Sequence, residues 1–305
     1  MKFDLVLTNP PFQDSVRRNK TPHKLWIDFT LSVFSRLVKP GGSLVQVSPA
    51  SFASPSNPVL TLMGRFQTQT LRVGTEHHFP EVGSTFSDYW IENTINDDRP
   101  TRLISRDEEF EVELNSQVFY LPNDFSPEAL SIHTKVMFSP DKKLDVEWDY
   151  VTAHNIRRRD PNPTLVESPD DAHPYPVFHT NRSIWYSSIL QDWAHCPKVM
   201  WTRSGYTIPF FDPGELGGTD MAYFVRVANP AQGKILATNM NLKLMQYIYK
   251  TAKWSGFGNE RVFAGLPALP LDRELNDTDL YLYFGLTSEE VDYVERSLEP
   301  RKREA

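Results

Sequence analysis

Short apolar runs separated by polar, proline-rich breaks set the rhythm of this chain. Phe3-Asp4-Leu5-Val6-Leu7-Thr8 places three apolar residues in a row after an acid, which predicts a buried strand of a parallel sheet. Asn9-Pro10-Pro11-Phe12 stops that strand, because each proline fixes φ and offers no N–H. From Leu25 to Val38 the period changes. Trp26, Phe29, Val33 and Leu37 recur at helical spacing with Ile27, Leu31, Phe34 and Val38 beside them, predicting a helix with a wide apolar face. Lys39-Pro40-Gly41-Gly42 is the expected helix exit. Ser43 to Ser48 is the next strand, and strand–helix–strand predicts a right-handed crossover between parallel neighbours. Val59 to Phe66 reads as a short helix and Thr70 to Val73 as a strand. Asp88 to Ile95 reads as a strand leaving a hairpin-like turn at Gly83-Ser84.

Asn96 to Pro100 is a polar break and the expected domain boundary, separating residues 1–98 from residues 99–305. Beyond it come β-like segments at Phe110–Leu114 and Val118–Leu121, then a helix over Pro127–Phe138. Residues 139–176 are rich in proline and aspartate and read as a long loop. Alternation returns at Tyr175–Phe178, Lys198–Arg203 and Ala222–Val227, followed by one helix over about Ile235–Ala252. A last helix spans Glu289–Leu298, with Ser288 as its cap. The fold class expected is α/β for the first domain, with a mixed α+β second domain.

Composition narrows the class. The 305 residues are 40% hydrophobic and 12% aromatic, so the chain is globular and long enough for two cores. A single cysteine, Cys196, excludes an internal disulfide and a cysteine-cluster metal site, and no metal is expected. With no run approaching 18 apolar residues and no signal-peptide pattern, a soluble cytoplasmic protein with no membrane contact is expected. Net charge is −7, which by itself argues against a nucleic-acid partner. The distribution changes that picture. Residues 1–45 carry seven basic against three acidic residues, whereas residues 96–149 carry six against thirteen.

The chemistry concentrates where the first strand ends. Asn9 offers a side-chain carbonyl and Pro10 a backbone carbonyl whose direction two rings restrain. Two acceptors aimed at one point suit an exocyclic amine, and Phe12 adds a face on which a planar base stacks. An aromatic amine is a poor nucleophile because its lone pair is delocalised. Accepting both hydrogens in a bent geometry draws the nitrogen toward tetrahedral and frees the pair. An amine inside a duplex is paired, so the base must first be flipped out. The basic stretch after the motif, with Arg17, Arg18, Lys20 and His23, is either a phosphate-contacting loop or an ordinary solvated one. The same two readings apply to Arg157-Arg158-Arg159.

Asn9-Pro10-Pro11-Phe12 resembles the catalytic motif of amino-group DNA methyltransferases, (Asn/Asp/Ser)-Pro-Pro-(Tyr/Phe). The order of elements after it resembles the gamma-class adenine-N6 enzymes of restriction–modification systems. That resemblance implies S-adenosylmethionine as methyl donor, double-stranded DNA as substrate, and a partial Rossmann-like methyltransferase sheet holding the later strands only. It also implies a base pocket near Pro49–Phe52 and the closing hairpin, with Phe52, Phe79 and Phe86 as candidates; the other reading makes the hairpin aromatics core. In the second domain, Met240-Asn241-Leu242-Lys243-Leu244 is similar to the "LNSKL" helix of the family's target-recognition domain. A glycine-rich turn and the Leu266-Pro267-Ala268-Leu269-Pro270 exit follow.

One family feature is missing. The glycine-rich turn that cradles the methionine end of the cofactor should follow an earlier strand. Gly214–Gly218, Gly256–Gly258 and Gly285 all lack strand–turn–helix context. Three readings follow: the catalytic and recognition part of a split enzyme completed by a partner subunit or by self-association, a non-catalytic DNA-binding decoy, or a truncated product. In the first of these, the flank of the first strand is an open apolar edge that calls for a covering partner. An RNA or protein methyltransferase is the alternative from a separate class.

Overall fold

In the computed structural model the described residues are 1–12, 24–74, 85–105, 108–149, 163–180, 183–203, 208–252 and 260–299. They form two compact units, Met1–Thr134 and Lys135–Ala305.

Unit 1 is a mixed α/β unit. Strand β1 (Phe3–Thr8) leads through the Asn9 turn to helix α1 (Leu25–Leu37), which runs directly into strand β2 (Val38–Pro49). A 3-10 turn (Ala50–Ala53), helix α2 (Pro58–Arg65), strand β3 (Phe66–Val73) and strand β4 (Phe86–Ile95) follow. Strands β5 (Thr101–Ser105) and β6 (Glu108–Val112) and helix α3 (Pro127–His133) complete the unit. Among the described residues the sheet has six strands in the order β1-β2-β4-β3-β5-β6, with β1 parallel to β2, β3 parallel to β5, and the other neighbours antiparallel.

Several expectations change here. The polar break near residue 98 falls within the sheet, because β5 pairs with β3 from Thr70–Arg102 to Val73–Ser105, and the two compact units divide after Thr134. Lys39 to Gly42 is strand rather than helix exit. Gly41 takes φ +73°, and a Cβ on Gly42 would stand 2.9 Å from the carbonyl oxygens of Phe3 and Asp4. That close approach accompanies a bulge in which Phe3 pairs with Val38 but Leu5 with Ser43. Lys39 and Asp4 form an ion pair across it. Helix α1 buries Trp26, Thr30 and Phe34, a stripe at i, i+4, i+8, and leaves Phe29 and Leu37 exposed. Helix α2 starts as its sequence dictates, with Asn57 accepting from the Val59 N–H and Pro58 in the first turn. The expected strand at Val118–Leu121 is irregular chain, and the helix expected to run to Phe138 turns into a π-helical turn at Thr134.

The strand expected to be buried forms but is covered unequally. β1 is at the end of the strand order, and Phe3, Leu5 and Leu7 are 42%, 54% and 69% exposed. Leu7 pairs with Val45, and Val45 with Trp90, itself 44% exposed, so these side chains make one open apolar row across three strands.

In unit 2, strands come first and helices later, as an α+β arrangement requires. Strands β7 (Leu165–Val166), β8 (Tyr175–Phe178), β9 (Ile184–Ser187) and β12 (Gly217–Gly218) form a sheet ordered β12-β8-β9-β7. Strands β10 (Lys198–Thr202), β11 (Phe210–Asp212) and β13 (Ala222–Arg226) form one ordered β11-β10-β13. Lys198 is buried with Nζ 2.6 Å from Asp212 Oδ2, and it also donates to the carbonyls of Ala194 and Cys196. The expected single helix over Ile235–Ala252 is two, α4 (Pro230–Met240) and α5 (Lys243–Thr251). Asn241 breaks it by donating to the carbonyls of Ala237 and Pro209. Helices α6 (Glu260–Phe263), α7 (Asp277–Tyr283) and α8 (Ser288–Leu298) follow. The cap of α8 is Thr287 rather than Ser288, in a reciprocal capping box with Glu290. No helix among the described residues is long and apolar enough to cross a membrane.

Candidate active site at the end of strands β1 and β2

Parallel strands end on the same side. Thr8 pairs with Gln46, so the Asn9 turn and the Pro49–Ala53 turn leave the sheet side by side. Strand β4 is antiparallel to β2 and therefore enters at that end, where Phe86 pairs with Pro49 and Ala50 N–H donates to the Thr85 carbonyl at 2.9 Å. Three segments distant in sequence thus converge at one edge of the sheet.

Within this site Asn9 and Pro11 are exposed, Pro10 is buried and Phe12 is half-buried. The burial of Pro10 anchors the turn while Asn9 remains accessible. The Phe12 ring packs against Phe86 with centroids 5.3 Å apart and planes tilted by 38°. Phe86 is 1% exposed, so its ring backs Phe12 from inside. Phe52 is fully buried and meets Tyr89 edge-on, centroids 5.8 Å apart. Phe79, Arg17, Arg18, Lys20, Arg157, Arg158 and Arg159 lie outside the described residues.

Beneath the turn is a polar cluster that sequence reading missed. Gln46 on β2, Tyr89 on β4 and Thr30 on α1 are each at most 1% exposed. Thr30 Oγ1 donates to the Trp26 carbonyl at 2.7 Å. Its one proton is thereby committed, so the amide atom of Gln46 lying 2.5 Å from it must be the donor Nε2. The same Nε2 donates to Tyr89 Oη at 2.8 Å. Gln46 Oε1 is buried with no partner among the described residues. Burial pushes the Tyr89 phenol up to about 12, so it stays protonated. The visible signal was a glutamine at an inward position of Ser43-Leu44-Val45-Gln46-Val47-Ser48, flanked by inward Leu44 and Ser48.

A cavity of about 470 Å³, lined by residues such as Arg65, Asn96, Asp98 and Ser116, lies elsewhere. It is at the carboxyl end of β4, which is the amino end of β1, so it opens away from the Asn9 turn. Among the described residues no cluster of side chains is suited to hold a metal ion.

No family model matches this chain, and no curated protein matches it. Solved structures do. The M protein of the type I restriction enzyme EcoKI matches over 34% of this chain and 25% of its own, at 16% identity and a TM-score of 0.28. The type IIL restriction-modification enzyme MmeI, solved in complex with DNA, matches over 97% of this chain and 55% of its own, at 10% identity and a TM-score of 0.43. The type IIG restriction endonuclease BpuSI matches over 97% and 49%, at 10% identity and a TM-score of 0.34. The chain therefore spans between a quarter and about half the length of these proteins.

Proposed function

We propose that this chain carries the catalytic turn and the target-reading part of a site-specific DNA adenine-N6 methyltransferase that uses S-adenosylmethionine. The observation that carries this reading is the convergence at one sheet end of an exposed Asn9, a buried Pro10 and a Phe12 ring braced by Phe86. Asn9 Oδ1 and the Pro10 carbonyl accept the two hydrogens of the adenine amine, and the nitrogen lone pair is localised for attack. Phe12 stacks on the flipped base. S-adenosylmethionine would supply an electrophilic methyl group, and the acidic methylated amine would release its extra proton to water at the exposed Asn9 side of the site. The phenol of Tyr89 stays neutral beneath the turn, so no strong base is invoked there.

The described residues do not by themselves fit the whole cofactor. Gly217 and Gly218 lie in β12 and Gly285 lies between two helices, so none opens a helix after a strand. We assign the adenosine end to a complementing segment, on this or another polypeptide, that carries the glycine-rich turn. Its place is beside β1, where a parallel strand ends the sheet order and the apolar row of Leu7, Val45 and Trp90 is open on one face. A second copy of this chain is the other occupant we consider.

Incubating duplex DNA with methyl-labelled cofactor, this chain and the complementing segment, then digesting to nucleosides, tests the reaction. Label in N6-methyladenine is expected, and label in N4-methylcytosine would reject the adenine assignment. Calorimetric titration of the cofactor into the chain alone tests the division of labour. Little binding is expected without the complementing segment, and micromolar binding by the isolated monomer would overturn it.

A further inference from the structure

Between β7 and β8 the chain closes around one imidazole. His173 is 9% exposed. Its Nδ1 lies 2.7 Å from Asp170 Oδ1, and its Nε2 lies 2.7 Å from the Pro163 carbonyl oxygen. The same Asp170 oxygen accepts the backbone N–H of Ala172 at 2.9 Å and of His173 at 2.8 Å, which fixes the carboxylate in place. Neither a backbone carbonyl nor an ionised carboxylate has a proton to give. A neutral imidazole has one N–H and can serve one of these oxygens, leaving its other nitrogen lone pair facing oxygen at 2.7 Å. The imidazolium has two N–H groups and serves both.

What the ring fastens is the start of an edge strand. Pro163 precedes Thr164, whose carbonyl accepts the Ser188 N–H at 3.1 Å, and then β7, which among the described strands pairs with β9 alone. β7 is two residues long, so it has little pairing of its own to hold it. We propose that doubly protonated His173 is a pH-responsive clamp that ties the start of β7 to the β7–β8 loop, and that deprotonation lets this edge loosen.

The His173 pKa is raised, first by the Pro163 carbonyl and next by the Asp170 hydrogen bond, with burial opposing them. The titratable groups of the loop and flanking strands are Asp170, Glu167, Asp171, Tyr175 and Tyr186; Asp170 touches the ring. With a raised folded value, the stabilisation is complete below the unfolded histidine value of about 6.5 and is lost as pH rises through the folded one.

Two measurements on the full chain, needing neither DNA nor cofactor, test the clamp apart from the enzymatic reading. One is an NMR titration of the His173 ring, and the other is hydrogen-exchange protection of the Ser188 amide, corrected for intrinsic exchange at each pH. We expect a His173 midpoint above about 6.5. We expect Ser188 protection to fall roughly 10- to 100-fold across the same interval, the scale of one charge-assisted hydrogen bond. Asp170→Asn should lower both the midpoint and the pH of the protection loss, and His173→Gln should abolish the pH dependence. A midpoint at or below the ordinary value, or Ser188 protection that does not track the ring, would overturn the proposal. Should His173→Gln fail to fold, the wild-type titration and Asp170→Asn decide.

Discussion

Asn9→Ala separates chemistry from folding and binding. The residue is exposed on a turn held by buried Pro10, so truncating it removes little packing. A change at such a position is expected to alter stability by no more than about 0.5 kcal/mol. On the proposed function its carbonyl is one of two acceptors for the reacting amine, and the Pro10 carbonyl remains. Losing one preorganised polar contact to the reacting group costs on the order of 100- to 1000-fold in rate, about 3–4 kcal/mol. Phe12 and its brace on Phe86, 5.3 Å away, are untouched, so the flipped base keeps its stacking surface. The assay is single-turnover methyl transfer to a duplex with saturating chain and complementing segment, with DNA affinity measured in parallel by fluorescence anisotropy. Rate per bound complex should fall at least about 100-fold while affinity and melting temperature hold. Asn9→Asp keeps a carbonyl-type acceptor and should retain more activity than the alanine variant. If Asn9→Ala instead abolished DNA binding and left turnover per bound complex unchanged, Asn9 would be a binding residue and the two-acceptor mechanism would be wrong.

Other outcomes follow from the same geometry. Phe12→Ala should weaken retention of a flipped base, read with 2-aminopurine fluorescence, by roughly 1–3 kcal/mol, the scale of base–aromatic stacking; an unchanged signal would remove Phe12 from the pocket. Tyr89→Phe keeps the ring against Phe52 but strips the acceptor 2.8 Å from Gln46 Nε2. The resulting buried unpaired N–H should cost about 1–3 kcal/mol in a urea melt, and an unshifted midpoint would show that the cluster is not closed as described. Asp212→Ala leaves buried Lys198 with the carbonyls of Ala194 and Cys196 and the face of Trp193, and breaking such a pair should cost about 3–5 kcal/mol. A loss below about 1 kcal/mol would mean that water reaches the ammonium. Replacing Arg157, Arg158 and Arg159 with alanine should reduce DNA affinity about equally for all sequences and flatten its salt dependence. An unchanged salt slope would take the three arginines out of the interface.

Local pattern was enough for some of this protein. The strand–Asn-Pro-Pro-Phe break places a rigid turn at the end of β1 because proline geometry is intrinsic to the residue. The strands β8, β10 and β13, the α/β class and the last helix were legible for the same reason: periodicity and turn chemistry act over a few residues. Pairing is a different matter, since it depends on residues far away in the chain. Thr101 to Ser105 has little alternation of its own and becomes β5 because β3 offers a parallel edge, which carries the sheet past the polar break. Asn241 interrupts a pattern that reads as one helix because its amide reaches Pro209, 32 residues earlier. Gln46 finds Thr30 and Tyr89, 16 and 43 residues away, so a polar residue in an apolar strand is buried in a hydrogen-bonded cluster in the row next to the Asn9 turn. Leu5 and Leu7 are the converse. Their pattern asks for burial, but burial is a property of what lies opposite, and no described segment covers them. The sequence determined where strands such as β1, β8, β10 and β13 run and where the Asn-Pro-Pro-Phe break falls, because those signals are local; the tertiary structure decided which further segments become strands, which strands meet and which apolar faces are left open.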